Sequence, residues 1–160
     1  MKNIKKNNLW MNADGCKVSE NIVNNEILDY STKGGKIYIG ADSMYYTGRC
    51  RFATVIALHD VNQNIAKYYY RKLNHKSKVY KDIKVKILEE VNLAIQTAEF
   101  VLSVCPNADI ELHIDIGTKK SNLTSKFYSL IKGWVTGLGY NFKVKPHSWA
   151  STSVADWHTK

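Results

Sequence analysis

The feature that most limits what this chain can fold into is a change of period along it. Three extended segments come first, at 36–43 (KIYIGADS), 51–58 (RFATVIAL) and 65–73, the last with Tyr68, Tyr69 and Tyr70 in a row. Only short connections separate them, with a turn at Asn62-Gln63-Asn64 before the third. Connections that short allow an antiparallel meander and no parallel crossover. Then helix and strand alternate. Ile83, Ile87, Val91, Ala94, Ile95, Ala98 and Leu102 recur at helical spacing, predicting a long helix over 81–103. DIELHID at 109–115 reads as a fourth strand. Phe127, Leu130, Ile131, Trp134, Val135 and Leu138 make a second helical stripe that stops near Gly139, and 142–145 is a fifth strand. From about Ala150 a short helix carries Val154 and Trp157 on one side. Right-handed crossovers place the strands of the alternating half parallel. The expected fold class is therefore α/β, a five-stranded mixed sheet flanked by helices.

Ahead of this sits an extension, residues 1–35. Its first 16 residues are polar and read as loosely held. Ile22, Val23, Ile27 and Tyr30 predict one helix over 19–33, ended by Gly34-Gly35. Residues 36–160 form the main domain. No apolar run approaches the ~18 residues of a membrane span, and the basic N-terminus has no apolar stretch behind it, so a cytoplasmic protein is expected. Cys16, Cys50 and Cys105 are few and widely spaced, and offer neither a disulfide framework nor a paired metal motif.

Charge narrows the partner. There are 23 basic residues against 14 acidic ones, a net of +9, and all the basic residues except Arg49, Arg51 and Arg71 are lysines. Lysine is a point charge suited to phosphates, whereas arginine forks read base edges. The balance favours RNA or DNA held by its backbone, without sequence reading. Lys76, Lys78, Lys81, Lys84 and Lys86 crowd the approach to the long helix, and Lys81, Lys84 and Lys86 are candidate phosphate contacts. Tyr45, close after Asp42, is a candidate for stacking on a base or ribose, or else for packing.

Two acids sit at strand ends. Asp42 ends the first strand and Asp115 the fourth. Functional groups of such sheets gather beyond the carboxyl ends of parallel strands, so the two carboxylates converge if these strands are neighbours. Carboxylates pressed together repel and need a cation, and hard oxygen ligands select Mg²⁺ or Mn²⁺. On the long helix, Glu90 falls at the edge of the apolar stripe and Glu89 points nearly opposite, so Glu90 is the better-placed candidate ligand, with the neighbouring Glu89 left open as the alternative. His113 shares a strand face with Asp115, as an extra ligand or a structural residue, and His158 near the chain end reads as mobile.

These segments resemble a known family. IYIGADS, HIDIG and KPHSWASTSVADWH, in that order and on those elements, are similar to the YkuK family of ribonuclease H-like proteins, predicted nucleases, from about Trp10 to the end. The resemblance implies a ribonuclease H-like fold with sheet order 3-2-1-4-5 and four acids, at Asp42, Glu90, Asp115 and Asp156, as catalytic residues and as ligands of two Mg²⁺ or Mn²⁺ ions. Asp42 would bridge the ions and Asp156 would help bind the one that activates water, giving 5′-phosphate and 3′-hydroxyl products. His147 occupies a place similar to that of a mobile histidine of some ribonucleases H. The implied activity is that of an endonuclease. A non-catalytic nucleic-acid-binding module, or a junction resolvase or exonuclease on the same fold, stays open because fold does not determine function.

Overall fold

The structure, a computed structural model, describes residues 9–60, 62 and 65–160. The chain runs β1 (Trp10–Asn12), β2 (Lys17–Val18), α1 (Glu20–Thr32), β3 (Lys36–Tyr46), β4 (Arg49–Asp60), β5 (Ile65–Lys76), α2 (Ile83–Val104), β6 (Asp109–Ile114), α3 (Tyr128–Gly137), β7 (Asn141–Lys143), a π-helical turn (Ala150–Ala155) and α4 (Asp156–Thr159). The seven strands among the described residues form one sheet, in the order β2-β1-β5-β4-β3-β6-β7. β3 pairs antiparallel with β4 and parallel with β6, and β6 pairs parallel with β7. The five expected strands thus stand in the expected order, but the sheet has seven strands.

The extra two strands come from the extension. Met11 and Asn12 pair with Tyr70 and Tyr69, and β2 closes a small hairpin on β1. What ties this segment down is Trp10, only 2% exposed, with the Arg71 guanidinium 4.9 Å from its ring centre and Phe100 stacked on it. The expectation that residues 1–16 are loosely held therefore fails at residues 10–12, and its first eight residues lie outside the described ones. Gln63 and Asn64 of the expected turn lie outside them too.

β3 and β4 are longer than their sequence pattern suggests. They join through a two-residue turn, Thr47-Gly48, with φ of 42° and 77°. Positive φ at both positions matches the twist of a hairpin, and glycine adopts it without strain. Asp42 consequently does not end its strand, because β3 continues to Tyr46.

One sheet face carries the main core. Ile37, Ile39, Ala41, Ile56, Leu58 and Leu112 meet Val23 and Ile27 of α1, Val91, Ala94, Ile95 and Ala98 of α2, and Ile131 and Val135 of α3. The helices begin where caps allow: Ser19 Oγ accepts from Ile22 N for α1, and Asp82 Oδ1 accepts from Lys84 N at 2.8 Å for α2. The opposite face has a smaller cluster of Ala53, Val55, Ala57 and Tyr70 under Ala155 of the π-turn. There Gly40 is indispensable, since a Cβ would run into the Ala150 backbone.

Candidate active site

The parallel register sets the site. Ala41 is the last β3 residue paired with β6, opposite Ile114, so Asp42 and Asp115 follow side by side where β6 stops. Strand alternation sends Asp42, with Tyr38 and Gly40, to the face under the π-turn, and Ser43 to the α2 face. Asp42 is buried and Asp115 half-buried.

From the α2 side comes Glu90, 5% exposed, its Oε1 accepting a short hydrogen bond from Ser43 Oγ. Glu89 is half-buried and accepts from Asn92 Nδ2 at 3.4 Å. From the other side comes Asp156, the first residue of α4. Two contacts place that element: His113 Nδ1 accepts from Ala150 N at 3.0 Å, and His158 lies flat on Tyr70, 3.5 Å between ring centres. His113 Nε2 meets Glu111 Oε1 at 3.1 Å, so both ring nitrogens have partners and the ring is structural. Burial lowers its proton affinity, and that of His158. His158 is buried, not mobile as its position suggested, and His147 is exposed.

The four carboxylates feel one another. Burial, then the neighbouring Asp115 and, more weakly, Asp156, push the Asp42 carboxyl up to about 7. Burial and then Asp42 push Glu90 well above the usual carboxylate range. One lysine opposes this, and two others pair with the outer acids. Lys86 Nζ donates to Ser43 O at 3.4 Å, and its charge lowers the proton affinity of both acids. Asp115 Oδ1 lies 2.7 Å from Lys145 Nζ, an ion pair without hydrogen-bond geometry, and Lys160 Nζ bonds Asp156 Oδ2 at 2.9 Å.

Among the described residues no three of His, Cys, Asp or Glu stand close enough together to hold an ion as they are placed. The donor chemistry nonetheless fits a hard divalent cation: four carboxylates, two buried against their own repulsion, and a buried Asp115 oxygen lacking a hydrogen bond. Of the remaining candidates, Lys81 and Lys84 are exposed, Lys86 turns inward, and Tyr45 packs half-buried against Cys50, Phe52 and Leu93. The three cysteines are free.

Ser43, Lys145 and Lys160 were not singled out from the sequence. Ser43 carried a signal, because alternation puts the residue after Asp42 on the helix side with Glu90. Lys160, four residues after Asp156 on a helix, carried a weaker one. Lys145 carried none, since its ammonium reaches Asp115 only through the loop pairing of Lys145 N with Ile116 O, 3.0 Å.

No helix among the described residues is long and apolar enough to cross a membrane. A family model described as Ribonuclease H-like matches residues 17–160. None of the curated proteins and none of the solved structures matches the chain.

Proposed function

Because the chain belongs to the ribonuclease H-like family, the YkuK family, we propose that it is a nuclease that hydrolyses phosphodiester bonds of RNA or DNA with two Mg²⁺ or Mn²⁺ ions held by Asp42, Glu90, Asp115 and Asp156. What supports this reading is that carboxylates from separate elements near the end of the β3–β6 pair influence one another, Asp115 and Asp156 acting on Asp42 and Asp42 and Asp115 on Glu90, with burial raising the proton affinity of Asp42 and Glu90.

When bound, divalent ions would supply an activated water and neutralise the departing oxygen. The rest falls to the chain. Asp42, whose proton affinity both Asp115 and Asp156 raise, would stand at the centre of the ligand set. Ser43 holds Glu90 in one orientation, and burial keeps bulk water from this inner half. Lys86 holds down the proton affinity of Asp42 and Glu90, which favours the ionised form that ligation needs. Lys145 and Lys160 balance the outer carboxylates and must release them when an ion enters. Lys81 and Lys84, exposed at the start of α2, meet substrate phosphates, and the net charge of +9 draws the polyanion in.

One observation favours a second reading, a nucleic-acid-binding module without catalysis: Lys145 and Lys160 already neutralise two of the four acids. A panel of hybrid, duplex RNA, duplex DNA, single strands and junctions, with Mg²⁺ or Mn²⁺, separates the two and identifies the substrate. Metal-dependent cleavage that disappears in Asp42→Asn is the expected result. Binding without cleavage on every substrate would put the module ahead, and cleavage indifferent to both EDTA and Asp42→Asn would end the two-metal reading.

A further inference from the structure

Tryptophan is seldom left in water, because its indole is worth more buried than any other side chain of its size. Trp10 is buried, and Trp149, 36% exposed, packs its ring against Tyr38 and His113 at 5.0 and 5.3 Å. Trp157 is 74% exposed and, among the described residues, has no aromatic or cationic partner for its ring.

Its backbone is nevertheless held firmly. His158 is stacked on Tyr70 and meets Tyr68 Oη at 3.2 Å, Asp156 is paired with Lys160, and Arg51 Nη1 donates to Lys160 O at 3.1 Å. The ring is free while its mounting is fixed, which is how a recognition aromatic keeps its ordering cost low. Cations surround the mounting: Arg51, Lys160 three residues on, and Lys72 with its Nζ 5.8 Å from the Tyr70 ring centre. The Lys160 ammonium is held on Asp156 Oδ2 at 2.9 Å, so a charge pair lies one residue away from the exposed indole.

We propose that Trp157 is a stacking platform for an unpaired nucleobase next to the scissile phosphate. The proposal rests on the nuclease reading and deepens it: the substrate presents a single strand, or an unpaired stretch, at the site. A base inside a duplex has both faces covered by its neighbours and offers the indole nothing. An unpaired base offers a whole face, and any base serves because every base has a π-face. The surrounding cations then take the phosphates on either side, a combination of aromatic and basic groups that suits single strands of any sequence.

The test compares wild type, Trp157→Ala and Trp157→Phe on labelled oligo-U and oligo-dT single strands and on a blunt duplex, with binding measured in EDTA and cleavage in Mn²⁺. Trp157→Ala should weaken single-strand binding about ten-fold and duplex binding by less than about two-fold, with Trp157→Phe keeping most of the affinity. Indole fluorescence should be quenched by single strands in wild type and less so in Trp157→Phe. Melting temperatures should be nearly unchanged, because the residue is 74% exposed. If the variants lose affinity equally for single strands and duplex, or lose none, Trp157 is not a base platform, and wild-type cleavage that disappears in Asp42→Asn still stands. If Trp157→Ala instead abolishes self-association in sedimentation, the ring belongs to an interface between copies. Wild type that neither binds nor cuts any of these substrates overturns the nuclease reading and the platform together.

Discussion

Asp42 and Glu90 carry their charge differently from Asp115 and Asp156. The first two are buried, have no ion pair at contact distance among the described residues, and hold their protons more tightly than ordinary carboxylates. The second two are half-buried and each contacts a lysine that is itself largely exposed. The inner pair is positioned by the sheet and by α2, elements that cannot move without opening the core. The outer pair is balanced by flexible side chains that water can replace. The fold thus supplies a buried half and an exchangeable half, a division that suits the cation site proposed above.

The sharpest way to break this comparison is chemical. Asp42→Asn should lower metal-dependent cleavage at least about a hundred-fold, the scale on which removing one electrostatic contributor acts. It should also leave the metal-free protein as stable as wild type, or more so, because it removes repulsion. Mn²⁺ at a hundred times its dissociation constant should stabilise wild type by about 2.7 kcal/mol and Asp42→Asn by much less. Equal Mn²⁺ shifts in melting temperature for the two proteins would count against the inner pair as a metal seat.

The pH dependence is next in size. Both inner carboxyls have folded values raised above their usual ones, Asp42 from 3.8 to about 7 and Glu90 from 4.5 to about 8. Folding therefore favours their protonated forms. The stability they contribute is complete below about pH 4 and is lost as pH rises through 7 and 8. His113 and His158, with lowered proton affinity, act oppositely, and their contribution is lost as pH falls below the usual histidine range. Comparing wild type with Glu90→Gln in EDTA cancels the histidines. The variant should gain on the order of 1–3 kcal/mol over wild type at pH 9, with little difference at pH 5. Urea midpoints at the two pH values measure this, and a variant less stable at pH 9 would refute the burial of a strained Glu90.

Among the lysines, position separates the roles. Lys81→Ala and Lys84→Ala should each flatten the dependence of log affinity on log salt by about 0.7–0.9, the value for one lost phosphate contact. Lys86→Met should leave that slope nearly unchanged, because its ammonium faces Ser43 and the inner acids. A full unit lost in Lys86→Met, measured by anisotropy over a salt series, would move Lys86 to the phosphate surface.

The smallest effect is the outer pairing. Lys160→Met removes an ion pair whose partners are 60% and 39% exposed, so metal-free stability should change by less than about 1 kcal/mol. Calorimetric titration should show Mn²⁺ binding more tightly to this variant, because a competitor for Asp156 has gone. Unchanged affinity would mean that Lys160 does not compete with the ion.

Much of the framework was legible before folding. Alternation over residues 36–73 and the stripe from Ile83 to Leu102 specify element types, because period 2 and period 3.6 bury different faces. Helical phase also set Glu90, not Glu89, at the edge of the buried stripe, and Glu90 is indeed the buried one of the two, though phase alone left the choice of ligand open. The extent of β3 was not legible: nothing local at Asp42 says whether the strand stops, and the Thr47-Gly48 turn decides that it runs on. The short strands β1 and β2 were hidden because their pairing energy is remote, supplied by Trp10 against Arg71 and Phe100. The lysine partners of Asp115 and Asp156 were hidden for a related reason, since surface charge pairs leave no periodic trace.

By itself, the amino-acid sequence determined the α/β class, the order of the elements, the faces they bury and the positions of the acids, since all of these follow from local periodicity and chain connectivity. Only the tertiary structure decided which charges are buried, which lysine meets which carboxylate, and that an indole beside Asp156 is left in water on a rigid mount. Burial and long-range pairing depend on how separate segments pack in space, and no stretch of sequence carries that information alone.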